Sequence, residues 1–199
     1  MSEKPVKQYL PKFGLGIDCE TSGSIFGGKS ASEYQAVSFG LVVFDFKTFE
    51  PVDAMYVEIK FDATKWKWSD EAQKIHGLSR EYLEANGVTQ EEAACLIAEF
   101  ILKWFAPDSN IFLLGHNVQF DVDFIEQLMV PFGLMFGLSP TRIDTGGVGY
   151  VMLGYHKSDL LFDAVGLDKR GAHNALEDIL LTLETAKRLR MLANTALEG

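Results

Sequence analysis

Phe13-Gly14-Leu15-Gly16-Ile17-Asp18-Cys19-Glu20-Thr21 is the stretch on which the fold turns. Residues 13–18 form a short apolar run of the kind that strands use, and it ends on two carboxylates, Asp18 and Glu20. Side chains alternate between the two faces of a strand, so Asp18 and Glu20 share one face while Cys19 points to the other, toward a core. Neighbouring carboxylates repel each other and lose solvation when covered. The pair therefore needs a cation or an exposed strand end, and taken alone it fits either.

Working outward, residues 36–44 and 55–59 read as two further strands. The polar breaks between them predict hairpin-like links and an antiparallel start to the sheet. A Gly- and Ser-rich loop over 21–34 follows the first strand. A short helix is expected over 69–75 and a longer one over 89–105. In the longer one Thr89 and Glu92 form a capping box, followed by Ala93, Leu96, Ile97, Phe100, Ile101 and Trp104 at helical spacing. A buried strand over 111–114 leads to a helix over 120–129. A less regular stretch precedes a short helix over 158–165, capped by Ser158, and a last helix from about Ala172 to about Leu192. Lys187, Arg188 and Arg190 then form a favourable positive C-terminal end. The order predicts an α/β fold, a mixed sheet flanked by helices, in a single domain over 1–199 with its core at about 13–190.

The composition agrees. Of 199 residues 47% are apolar and 23% charged, which excludes a disordered chain and suits one well-cored domain. No apolar stretch is long enough to span a membrane, and the first residues lack a signal-peptide run. Cys19 and Cys95 make neither a disulfide framework nor a zinc site, so a cytoplasmic home is expected. The formal net charge of −10 argues against broad nucleic-acid affinity. Two divalent ions bound by four carboxylates would reduce it to about −6, taking each as +2.

Two further segments carry candidate chemistry. In Gly115-His116-Asn117-Val118-Gln119-Phe120-Asp121, Asp121 stands on the first turn of a helix that follows a buried strand. In Arg170-Gly171-Ala172-His173-Asn174-Ala175-Leu176-Glu177-Asp178, His173 lies at the start of the last helix and Asp178 at the edge of its packed face.

These three segments resemble the Asp-Glu-Asp-Asp exonuclease superfamily, in its histidine branch, over about residues 13–189. The first motif matches as Asp18-Cys19-Glu20-Thr21. The second matches as His116-Asn117, Phe120-Asp121 and Phe124, and the third as His173 through Asp178. The tyrosine branch would place Tyr at position 174, where Asn174 stands. The resemblance implies a ribonuclease H-like fold and a 3′→5′ exonuclease that releases nucleoside 5′-monophosphates. It also implies that Asp18, Glu20, Asp121 and Asp178 hold two divalent cations, Mg²⁺ or Mn²⁺, and that His173 is the general base. Glu177 and Asp123 read as solvated bystanders, and Asp144 as a helix cap.

The expected partners are 3′ ends of single-stranded DNA or RNA, with DNA favoured. The alternatives are an RNA-trimming or oligoribonucleotide exonuclease and a scaffold without catalysis. Homodimers are common among free-standing relatives, and no polymerase-binding tail is visible. Thr21, Ser22 and Gly23 are expected to face the terminal nucleotide, with Asn117 and Phe120 beside it. His76 and Leu78, in Ile75-His76-Gly77-Leu78, resemble a segment that lines the nucleotide site. Trp66 and Trp68, interleaved with Lys65 and Lys67, suit stacking on single strands or, equally, packing on the core.

Overall fold

Among the described residues, five strands build one sheet: β1 (Phe13–Thr21), β2 (Ala36–Asp45), β3 (Pro51–Glu58), β4 (Ile111–Gly115) and β5 (Leu138–Asp144). This computed structural model describes residues 11–168, 171 and 173–198. The strand order is β3-β2-β1-β4-β5. The β1–β2 and β2–β3 pairs are antiparallel, as expected, and the β1–β4 and β4–β5 pairs are parallel. Pro51 opens the edge strand β3, where a missing amide hydrogen is tolerated.

Among the described residues, seven α-helices accompany the sheet: α1 (Asp70–His76), α2 (Arg80–Asn86), α3 (Gln90–Trp104), α4 (Val118–Met129), α5 (Thr145–Leu153), α6 (Ser158–Ala164) and α7 (Ala175–Glu198). The α3 capping box forms as read. Thr89 N donates to Glu92 at 2.9 Å and Glu92 N to Thr89 Oγ1 at 3.2 Å. On one side of the sheet, Leu15, Ile17 and Cys19 of β1 join a core with Ile97 and Ile101 of α3 and Val122 and Ile125 of α4. On the other, Val42 and Phe44 of β2 meet Ile179, Leu183 and Ala186 of α7. Each of the buried Val, Leu, Ile and Phe side chains among them contributes about 1.5–3 kcal/mol.

Several boundaries differ from the sequence expectation. α2, β5 and α5 were not anticipated. The α6 N-cap is Lys157, with no side-chain cap, and Ser158 is already helical. α7 begins at Ala175 because Asn174 caps it: Asn174 Oδ1 accepts from Leu176 N at 3.1 Å and Glu177 N at 3.2 Å. Ala172, the expected start, lies outside the described residues. α7 also runs on to Glu198, so Lys187, Arg188 and Arg190 are not its terminal charges. Lys187 pairs with Glu50, Arg188 binds the carbonyls of Val165 and Gly166, and Arg190 binds that of Lys47.

Candidate active site

Two glycines let α7 reach the carboxylate strand. Gly40 of β2 lies opposite Asp18 of β1. A Cβ on Gly40 would come within 2.3 Å of the Ala175 carbonyl and 2.4 Å of Leu176 N, both backbone atoms. One on Gly16 would come within 2.9 Å of Ile179 Cγ1. The first turns of α7 therefore rest directly on the sheet, and Asp178 stands on them. The face of β1 that carries Gly16, Asp18 and Glu20 is the one that α7 covers.

From the other side of the sheet, α4 supplies Asp121. It is 3% exposed, and its Oδ1 accepts the Cys19 amide at 2.9 Å. Burial pushes its carboxyl up to about 7, against the opposing pull of the Cys19 hydrogen bonds. The Cys19 thiol is pushed up by burial and then by the Asp121 and Asp18 carboxylates, so it stays protonated and inert.

Asp144 fastens this end of α4. Its carboxylate accepts from Asn117 N at 3.2 Å, Val118 N at 3.1 Å and Gly146 N at 2.9 Å. It is the N-cap of α5, the cap expected of it, and it also satisfies the start of α4. Asn117 itself sits in the left-handed region at φ 58°, and its side chain makes no cap.

His173 precedes α7 rather than belonging to it. Its amide donates to the Ile75 carbonyl at 3.2 Å, and its Nδ1 lies 3.5 Å from Asp178 Oδ2. Glu20, His173 and Asp178 each offer a ligand atom, and these atoms lie within 4.8 Å of one another. Asp18, Glu20, Asp121, His173 and Asp178 all line one cleft of about 170 Å³. Thus the structure brings together all five residues expected to be catalytic, from three distant segments. Carboxylate oxygens with one imidazole, partly shielded from water, form a donor set that suits a hard divalent cation.

The expected substrate contacts separate. Phe120 lines the cleft. Ser22 is fully buried and internally engaged: its amide donates to Gln35 O at 2.8 Å and its hydroxyl to Lys67 O at 2.7 Å. Thr21 Oγ1 donates to Gly23 O at 2.9 Å, and Gly23 packs under the Tyr34 ring. His76 is buried rather than on the surface. Its Nδ1 accepts from Leu78 N at 3.0 Å, and its Nε2 is enclosed. Burial pulls the imidazole's pKa down. Trp68 packs edge-on to Phe61 at 4.8 Å beneath the Arg80 guanidinium, and Trp66 buries its Nε1. The two tryptophans thus take part in packing. Asn117 is exposed beside the cleft that also holds Phe120 and Gln119.

His116, Ser158 and Thr182 also line the cleft that holds the five candidates. His116 Nδ1 lies 3.0 Å from Thr145 Oγ1. Thr182 carried a readable signal, being a polar residue one turn after Asp178 on the packed side of α7. Ser158 carried none, because its position depends on the unanticipated α5.

Carboxylates and an imidazole thus meet in one cleft, where Glu20, His173 and Asp178 could hold a metal ion. The chain belongs to the exonuclease family RNase_T, whose model matches residues 15–186. Solved structures share the fold. The zinc-bound E. coli exonuclease I–single-stranded DNA complex superposes with a TM-score of 0.73 at 19% identity, covering 92% of this chain and 41% of that one. E. coli exonuclease I with a dA16 oligonucleotide gives 0.73 at 18%, covering 91% and 41%. Exonuclease I from Methylocaldum szegediense gives 0.69 at 18%, covering 90% and 40%. This chain therefore spans about two fifths of the length of these proteins. No curated protein sequence matches it. Among the described residues, no helix is long and apolar enough to cross a membrane.

Proposed function

We propose that this protein is a metal-dependent 3′→5′ exonuclease that releases nucleoside 5′-monophosphates from single-stranded nucleic acid, DNA in preference to RNA. The observation that carries this reading is the convergence of Asp18, Glu20, Asp121, His173 and Asp178 on one cleft. Membership in the exonuclease family supports it, and the fold shared with DNA-bound exonuclease I supports DNA as substrate.

Asp18, Glu20, Asp121 and Asp178 would hold two divalent cations, Mg²⁺ or Mn²⁺. Bound there, such ions would supply Lewis acidity for the attacking water and the leaving 3′ oxygen. His173 is partly exposed at the cleft, on the carboxylate side, and takes the proton from that water. Near pH 7 a neutral imidazole is suited to this work, its reference pKa being about 6.5. The Asp178 carboxylate beside Nδ1 orients the ring. Phe120 forms the apolar wall against which a terminal base can lie. The Cys19 amide holds Asp121 in place, and the cap at Asn174 fixes where His173 leaves the loop.

Calorimetric titration with Mn²⁺ tests the ligand assignment. Two ions should bind the native protein, with weaker or fewer sites in Asp178→Asn. Unchanged binding in that variant would reject Asp178 as a ligand.

A further inference from the structure

A cavity of about 180 Å³ lies on the side of β1 away from α7, between the sheet and the helices α3 and α4. Leu15 and Ile17 of β1, Leu113 of β4 and Ile101 of α3 form its inner walls, each only 1% exposed. Core side chains ordinarily interdigitate and leave few spaces larger than a water molecule, so a cavity of this size calls for a reason. Water does not suit it. An ordered water needs about two to four polar partners, and these inner walls offer hydrocarbon side chains. A single ring does suit it, because an apolar cavity of about 150 Å³ is enough to hold benzene.

The outer wall supplies a way in and a contact for a head group. Residues 130–137, Val-Pro-Phe-Gly-Leu-Met-Phe-Gly, join α4 to β5 and carry no charged side chain. Val130, Leu134, Met135 and Phe136 of this segment line the cavity, and Met135 is 77% exposed, so the apolar lining continues from the core to solvent. Met129 and Met135 give that wall flexible side chains, which adapt to the shape of a guest. Among the described residues, Glu126 is the one charged group in the walls, and it stands exposed on α4 one turn before Val130. A carboxylate at the mouth of a hydrocarbon cavity favours a molecule with an apolar body and a cationic end.

We propose that this cavity binds a small aromatic amine, with its single ring against Leu15, Ile17 and Leu113 and its ammonium group at Glu126. The proposal stands apart from the exonuclease reading. The cavity nevertheless shares its walls with the elements that carry the acidic residues: Ile17 precedes Asp18 in β1, and Ile125 lies one turn after Asp121 in α4.

Calorimetric titration and thermal melting of the full chain test this with benzylamine, its neutral isostere benzyl alcohol, and benzoate. Benzylamine should raise Tm by about 3–6 °C at about ten times its Kd. Benzyl alcohol should bind about threefold more weakly and benzoate at least about tenfold more weakly, and Glu126→Gln should bring benzylamine to the level of the alcohol. Ile101→Phe extends a side chain into the cavity. It should melt within about 3 °C of the native protein, where the same enlargement in a filled core would lower Tm further, and it should bind benzylamine at least about tenfold more weakly. No binding of benzylamine by the native protein would overturn the proposal. So would native-like binding by Ile101→Phe, or an Ile101→Phe protein that melts far below the native one or does not fold. Equal binding of the amine, the alcohol and benzoate would overturn the assignment of an amine to Glu126.

Discussion

The backbone amide of Cys19 donates to Asp121 Oδ1 at 2.9 Å, joining residues 102 positions apart in the chain. That bond ties the carboxylate strand to the helix that supplies the third acidic residue. It leaves Asp121 buried among other acids, with its carboxyl pushed up to about 7. In the unfolded chain the same group titrates near about 3.9. Its contribution to stability is therefore fully present below about pH 4 and lost as pH rises through about 7. A bound cation competes with the proton and removes this penalty. Thermal melting of EDTA-treated protein should show Tm falling between about pH 4 and about pH 7, and saturating Mn²⁺ should flatten or reverse that slope. Parallel slopes with and without metal would contradict this.

Gly40 should tolerate no side chain. A methyl group there meets the backbone of Ala175 and Leu176, which cannot turn aside. Gly40→Ala should cost about 1–3 kcal/mol and, by shifting Asp178, lower kcat about 100-fold. Gly14→Ala is the control. Its Cβ meets the Phe44 ring, so a similar stability loss should leave kcat within a few fold. Denaturant melts and steady-state rates measure both.

His76 supports the loop of His173 from within. The turn that it closes with Leu78 presents the Ile75 carbonyl to the His173 amide. His76→Ala should lower kcat with little change in KM and destabilise by about 1–3 kcal/mol, because the Leu78 amide loses its acceptor. His76→Asn, whose amide oxygen can take the place of Nδ1, should recover part of both. A change confined to KM would instead mark His76 as a substrate contact.

Asp144 caps two helices with one carboxylate. Asp144→Ala should cost about 2 kcal/mol and also reduce activity, since the freed amides of Asn117 and Val118 stand at the end of α4 that carries Asp121. Asp144→Asn should fall between. Chemical denaturation of the three proteins gives the order.

The acidic strand, its antiparallel partners and the long α3 were legible because each carries one clear period or cap. The five residues that converge on the cleft were legible because strand alternation, a helix first turn and a motif resemblance agreed on them. β5 was not. It has an irregular burial pattern, with Pro140 inside it, and no alternation to read. α5 opens as Thr145-Gly146-Gly147-Val148-Gly149, a poor helix by propensity that depends on the Asp144 cap. α7 was placed too early because the alanines around His173 extend its periodicity, while Asn174 ends it. Ser22 and His76 looked like surface contacts. Only the tertiary structure shows their hydrogen-bonding groups turned inward.

The central claim is tested most directly on 5′-labelled single-stranded DNA and RNA with Mg²⁺ or Mn²⁺, resolved at single-nucleotide spacing, with His173→Ala alongside. The account predicts a ladder that shortens from the 3′ end, faster on DNA, abolished by EDTA and slowed at least about 100-fold in the variant. No ladder on either strand with either metal, or a variant as fast as the native protein, would contradict it.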